Sequence, residues 1–318
     1  MKPPTATLRS VAERAPIGYV VVACFLSFAC YNLVPGSGTA ADVARTAAGA
    51  LCAIALLAVG DPAALRPHQR TGWGSTCTVS AGSLSERLGL VGLCTWLLVV
   101  ACVAGVGSLL AAGDASSSGS PAPGFGPATV SPLASATASD PALVSGHVWL
   151  FAPAFGWILL FVVLCLVTGV FEEALFRGVM FKGFVRPLAT SRHAKPLLRA
   201  AVVSSCVFGV LHVSGEVPVS GFDEVVTAQV VLKPLQAALF GFVMAGVFAR
   251  SRNLWLICGL HAAFNALSEG PLFLAEGALP VTYLTGSLTD VALLAASVVL
   301  LVPAAAKART WLSGACIL

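Results

Sequence analysis

The chain has 318 residues, of which 57% are hydrophobic and only 10% charged, with a mean hydropathy of +0.90. A soluble domain carries about 25% charged residues, so this composition excludes an ordinary soluble fold and predicts an all-α integral membrane protein. The formal charge of +4 is spread between apolar runs rather than gathered into one patch, which excludes a nucleic-acid partner and leaves the lipid bilayer as the expected surroundings.

Runs long enough to cross a hydrocarbon core, about 20 residues, fall at 16–35, 43–60, 88–112, 155–180, 198–215, 232–249, 254–270 and 284–305. The expectation is therefore about eight transmembrane helices. Lys2, Arg9 and Arg14 precede the first run, as in a signal peptide. That run is long for a signal sequence and lacks a convincing small-residue cleavage site, so it reads as an anchor.

With the N-terminus inside, all but two of the 18 Lys and Arg lie on the cytosolic side. The exceptions are Arg45 and Lys233. The positive-inside rule then predicts that both termini are cytosolic. Most of the ten cysteines lie inside apolar runs, and Cys77 and Cys316 are expected to face the cytosol. No disulfide framework is expected from that distribution.

Residues 113–146 are rich in Gly, Ser, Pro and Ala and contain no Lys or Arg. Such a segment buries too little apolar surface to order itself, and it predicts a flexible extracytoplasmic loop. The chain thus divides into three N-terminal transmembrane helices (1–112), the loop (113–146) and a helical core (147–318). A functional cavity is expected in the last five helices, where the polar motifs lie.

Three stretches interrupt those five helices with chemistry: FEEALFR at 171–177, FGVLH at 208–212 and HAAFN at 261–265. An ionisable group inside a membrane helix costs roughly 2.5–3.5 kcal/mol on insertion scales and by default marks function. From a rise of 1.5 Å per residue, Glu172 lies roughly 21 Å from Arg186, His212 roughly 20 Å from Arg199 and His261 roughly 14 Å from Arg252. The three stretches can therefore meet in one layer.

Within each motif the helical period sets the partners. Glu173 and Arg177 are i,i+4 neighbours and can pair on one face. Glu172 points about 100° away, toward another helix. His261 and Asn265 share a face, and Phe208 stands one turn from His212. A carboxylate, two imidazoles and an amide can together activate a water and stabilise an oxyanion. Each has a plainer reading: Glu173–Arg177 as a structural pair, the histidines as interhelical hydrogen bonders, Phe208 as core. Glu216 is a further candidate for orienting His212. A transport path is disfavoured, because the polar residues gather at one depth.

The order E-E-x-x-x-R, F-x-x-x-H, H-x-x-x-N over successive helices resembles the CPBP family of intramembrane proteases, the CAAX-protease and bacteriocin-processing family. The resemblance covers about residues 150–305. It implies an endopeptidase acting on a membrane-associated peptide or protein. By that analogy Glu172 and His212 activate the water, and His261 and Asn265 hold the oxyanion. Glu173, Arg177 and Phe208 support the site. The family is described both as metal-dependent and as glutamate-type. The cofactor is therefore either none or a zinc ion, which Glu172, His212 and His261 would hold as a His₂Glu set. HAAFN lacks the cysteine before asparagine that eukaryotic prenyl proteases tend to show, so the chain is closer to the prokaryotic branch. The reading from another class is a non-catalytic membrane scaffold or bacteriocin self-immunity protein.

Overall fold

The computed structural model describes residues 10–65, 84–117, 147–190, 195–213, 223–276 and 283–313, and no strand occurs among them. Helix α1 spans Pro16–Asn32, α2 Thr39–Gly60, α3 Leu84–Ser117 and α4 His147–Glu173. Helix α4 runs without a break into a π-helical stretch, Ala174–Phe181, and then into α5, Lys182–Thr190. The remaining helices are α6 Pro196–Val210, α7 Glu224–Ser251, α8 Leu254–Glu276 and α9 Leu288–Ser313. Among the described residues five stretches are long and apolar enough to cross a membrane: Thr39–Gly60, Arg87–Leu110, Phe155–Ala189, Glu224–Ser251 and Leu288–Ser313. The protein is an all-α, multi-pass membrane protein.

Each predicted apolar run coincides with one helix, but two are short. Helices α1 and α6 have 17 and 15 residues, and 15 residues rise only about 22 Å against a core of about 30 Å. Helix α6 ends at Val210 rather than near 215. His212 thus sits in the turn that follows, not inside a span. The predicted loop begins later than expected, since α3 continues to Ser117. The rest of that loop, and Glu216, lie outside the described residues.

Small residues bring the helix backbones together, as is common where lipid offers no hydrophobic drive for association. A Cβ on Gly169 of α4 would lie 2.6 Å from the Cys258 carbonyl oxygen and 3.1 Å from the Ala262 nitrogen of α8. A Cβ on Gly209 of α6 would lie 2.9 Å from that of Ala238 on α7. The N-terminal helices pack directly on the core. The Phe171 ring stacks on Tyr31 at 6.0 Å and meets Phe28 edge-on at 5.8 Å. Trp96 of α3 donates to the Leu300 carbonyl of α9 at 2.8 Å.

Polar ties close both ends of the bundle. At one end Lys182 pairs with Asp61, and Trp255 Nε1 donates to the Leu65 carbonyl at 3.0 Å. At the other, buried Gln229 donates to Thr285 Oγ1 at 2.8 Å and accepts from the Gly286 nitrogen at 3.1 Å.

Candidate active site

The close approach of α4 and α8 at Gly169 sets the site. It brings Glu172 and Glu173, at the last turn of α4, against His261 of α8. Glu173 Oε1 accepts from Arg177 Nη1 at 2.8 Å and also bonds His261 Nδ1 at 2.7 Å. The other ring nitrogen, Nε2, lies 3.4 Å from Glu172 Oε2. One imidazole therefore bridges the two adjacent carboxylates.

The two carboxylates differ in surroundings. The Glu173 side chain is 0% exposed and that of Glu172 is 19% exposed. Glu173 is sealed into the protein with a guanidinium beside it, while Glu172 keeps access to a ligand. The helix period anticipates this division. The π-helical stretch was not anticipated: a plain α-helix is expected over 155–180, and nothing in the residues signals the extra width. Such π turns often occur at functional sites. Here the stretch begins directly after Glu173, and all eight of its residues are buried.

Phe208 is the hub on the α6 side. Its ring lies 4.8 Å from Phe176, 4.4 Å from His212 and 6.3 Å from His261, centroid to centroid. The Arg177 guanidinium sits 4.7 Å above it, a cation–π contact that partly replaces water around the charge. Gly241 of α7 leaves room for this group, since a Cβ there would lie 2.9 Å from Arg177 Nη2 and 3.1 Å from the Phe208 ring.

His212 is fixed by its own backbone: Nδ1 lies 2.8 Å from the Phe208 carbonyl oxygen. A carbonyl only accepts, so Nδ1 carries the proton and Nε2 is left as an acceptor. Glu172 and His261 are both within electrostatic reach of His212. The imidazole in direct range of Glu172, however, is His261, not His212 as the motif order suggests. Asn265 follows His261 by one turn on α8 and is half-buried.

The structure thus gathers Glu172, Glu173, Arg177, Phe208, His212 and His261, with Asn265 adjacent. Sequence reasoning missed Phe240, whose ring meets His261 edge-on at 4.8 Å and walls it from α7. Among the described residues no three His, Cys, Asp or Glu side chains are arranged to hold a metal ion. Glu172, His212 and His261 do not form a ligand set in this conformation.

Residues 154–267 match the model of the type II CAAX prenyl endopeptidase Rce1-like family. This segment is similar to the CPBP/CAAX-protease family. The matched segment contains all seven motif residues from Glu172 to Asn265 and leaves α1, α2 and α3 outside it. Neither the curated proteins nor the solved structures give a match to the chain.

Proposed function

We propose that the protein is an intramembrane endopeptidase that hydrolyses a peptide bond of a membrane-associated peptide or protein. The observation that supports it most is the bridge from Glu173 through His261 to Glu172. A structural ion pair between Glu173 and Arg177 needs neither the second carboxylate nor the imidazole held against it.

In this reading a water lies between Glu172 and His212 Nε2. Glu172 takes one of its protons as the oxygen bonds to the substrate carbonyl carbon. The charge that develops on the carbonyl oxygen is met by the Asn265 amide and by His261 Nε2–H. Glu173, tied to Arg177, can only accept, so His261 Nδ1 carries a proton. Nε2 donates when the ring holds both protons, and the carboxylates flanking it are complementary to that form. Collapse of the intermediate breaks the C–N bond. The proton on Glu172 passes to the leaving nitrogen, giving a carboxylic acid and an amine, and transfer of the acid proton to the amine leaves a carboxylate and an ammonium.

The distribution of basic residues supports a cytosolic side for both termini and for the entry to this site. The core 147–318 carries the chemistry, with the three preceding helices as its flank. Prenylated cysteine peptides are the first substrates to test, beside unprenylated apolar ones. The experiment is a cleavage screen of both kinds with the chain purified in detergent and a Glu172→Ala control. Cleavage by the wild type alone supports the reading; no cleavage, or equal cleavage by the control, removes it.

A further inference from the structure

Ser204 stands four residues before Phe208 on α6 and so shares its face, one turn away. Its side chain is buried, and its hydroxyl donates to the Phe176 carbonyl oxygen at 2.9 Å. That carbonyl lies inside the π-helical stretch, Ala174–Phe181. Phe176 is thus held from α6 twice: by its backbone through Ser204, and by its ring, which meets Phe208 edge-on at 4.8 Å. With His212 in the turn beyond the helix, α6 offers the site one residue per turn, at 204, 208 and 212. The chemistry above draws only on the last two.

The hold has a physical purpose. A π-helical stretch is rare because the α form is normally preferred, so a contact from outside the helix helps to keep it. A carbonyl oxygen has two lone pairs and can accept a hydroxyl beside its own helical partner. This oxygen belongs to the peptide unit that joins Phe176 to Arg177, and that unit is planar. Fixing the oxygen therefore fixes the direction in which Arg177 leaves the backbone. The guanidinium has few directional contacts of its own. Nη1 bonds Glu173, whereas Nη2 finds no hydrogen-bond partner among the described residues. Glu173 in turn sits between that guanidinium and His261. Ser205 gives the contrast: it is buried as well, but its hydroxyl has no partner among the described residues.

We infer that Ser204 is a positioning residue of the active site. Its hydroxyl holds the π-helical stretch from α6 and, through the Phe176–Arg177 peptide, keeps Arg177 on Glu173 and Glu173 on His261. Its effect on the reaction rests on the protease reading; its hold on the stretch does not. Ser204 acts through other residues, so loss of its hydroxyl slows the chemical step and leaves substrate binding unchanged.

The test uses the full chain in detergent and three variants. Ser204→Ala removes the hydroxyl, Ser204→Thr keeps it, and Ser205→Ala removes the neighbouring one. Backbone hydrogen–deuterium exchange is followed in peptides covering 174–181. Exchange there is expected to quicken about fivefold in Ser204→Ala, the scale of one buried hydrogen bond. It should keep the wild-type rate in Ser204→Thr and Ser205→Ala. Cleavage of an apolar membrane peptide is then measured with the same proteins. The expected kcat is on the order of tenfold lower in Ser204→Ala, with KM unchanged, and is recovered in Ser204→Thr. Melting temperature shows that each variant folds. Wild-type exchange at 174–181 in Ser204→Ala, or a wild-type kcat, overturns the inference. So does a loss that falls on KM alone, or an equal loss in folded Ser204→Thr or Ser205→Ala. If the wild type cleaves nothing, the protease reading falls, and exchange alone decides whether Ser204 holds the stretch.

Discussion

His261 and Glu173 meet at 2.7 Å although 88 residues separate them in the chain. That bond joins α8 to α4 at the level where Arg177 closes on the same carboxylate oxygen. It turns a pair of charges on one helix into a three-residue unit spanning two. Glu173 therefore positions His261 as well as neutralising Arg177.

Replacing Glu173 should then do two kinds of damage. Glu173→Gln leaves a fully buried guanidinium without its counter-ion, and breaking a buried pair costs about 3–5 kcal/mol. It also removes the charged acceptor of His261 Nδ1. The expected result is a melting temperature lowered by several degrees in detergent together with loss of turnover. A variant as stable as the wild type would show that the ion pair is not what holds this part of the fold.

The approach of α4 to α8 depends on Gly169. In Gly169→Val the side chain meets the Cys258 carbonyl oxygen, where even a Cβ would lie at 2.6 Å. That backbone cannot rotate aside. The helices must separate, and the Glu173–His261 bond lengthens with them. A drop in kcat on the order of tenfold or more is expected, since displacement of about 1 Å at a reacting centre can cost that much or more. Wild-type kcat in a well-folded Gly169→Val protein would show that this approach does not set the site.

Gly241→Leu tests the wall on the α7 side. Its side chain would fill the space between Arg177 Nη2 and the Phe208 ring. Overpacking of this kind typically costs about 1–3 kcal/mol. The melting temperature should fall, and activity with it, because Phe208 also carries the carbonyl that fixes His212. An unchanged melting temperature would mean that the guanidinium has room elsewhere.

Much of this site was legible in the residues. Ionisable groups are costly in an apolar helix, so Glu172, Glu173, Arg177, His212 and His261 stood out by depth alone. The 100° step between neighbours separated the two glutamates, and the structure gives them different burial. Pairing across helices was less legible. Depth places residues in a layer but does not say which imidazole rotates toward which carboxylate, and His261 rather than His212 lies nearest Glu172. The π-helical stretch was hidden because its residues, Ala174–Phe181, suit an ordinary α-helix equally well.

The central claim is that Glu172 is the base that activates water, and Glu172→Gln tests it most directly. The amide keeps the shape of the side chain and cannot accept the proton. Turnover of a cleavable membrane peptide by the purified protein is compared with its melting temperature in the same detergent. The account predicts a loss of about 10²–10⁴-fold in kcat, the usual range for a general base, with the melting temperature within a degree or two of the wild type. Turnover within a fewfold of the wild type by the folded Glu172→Gln protein would contradict it.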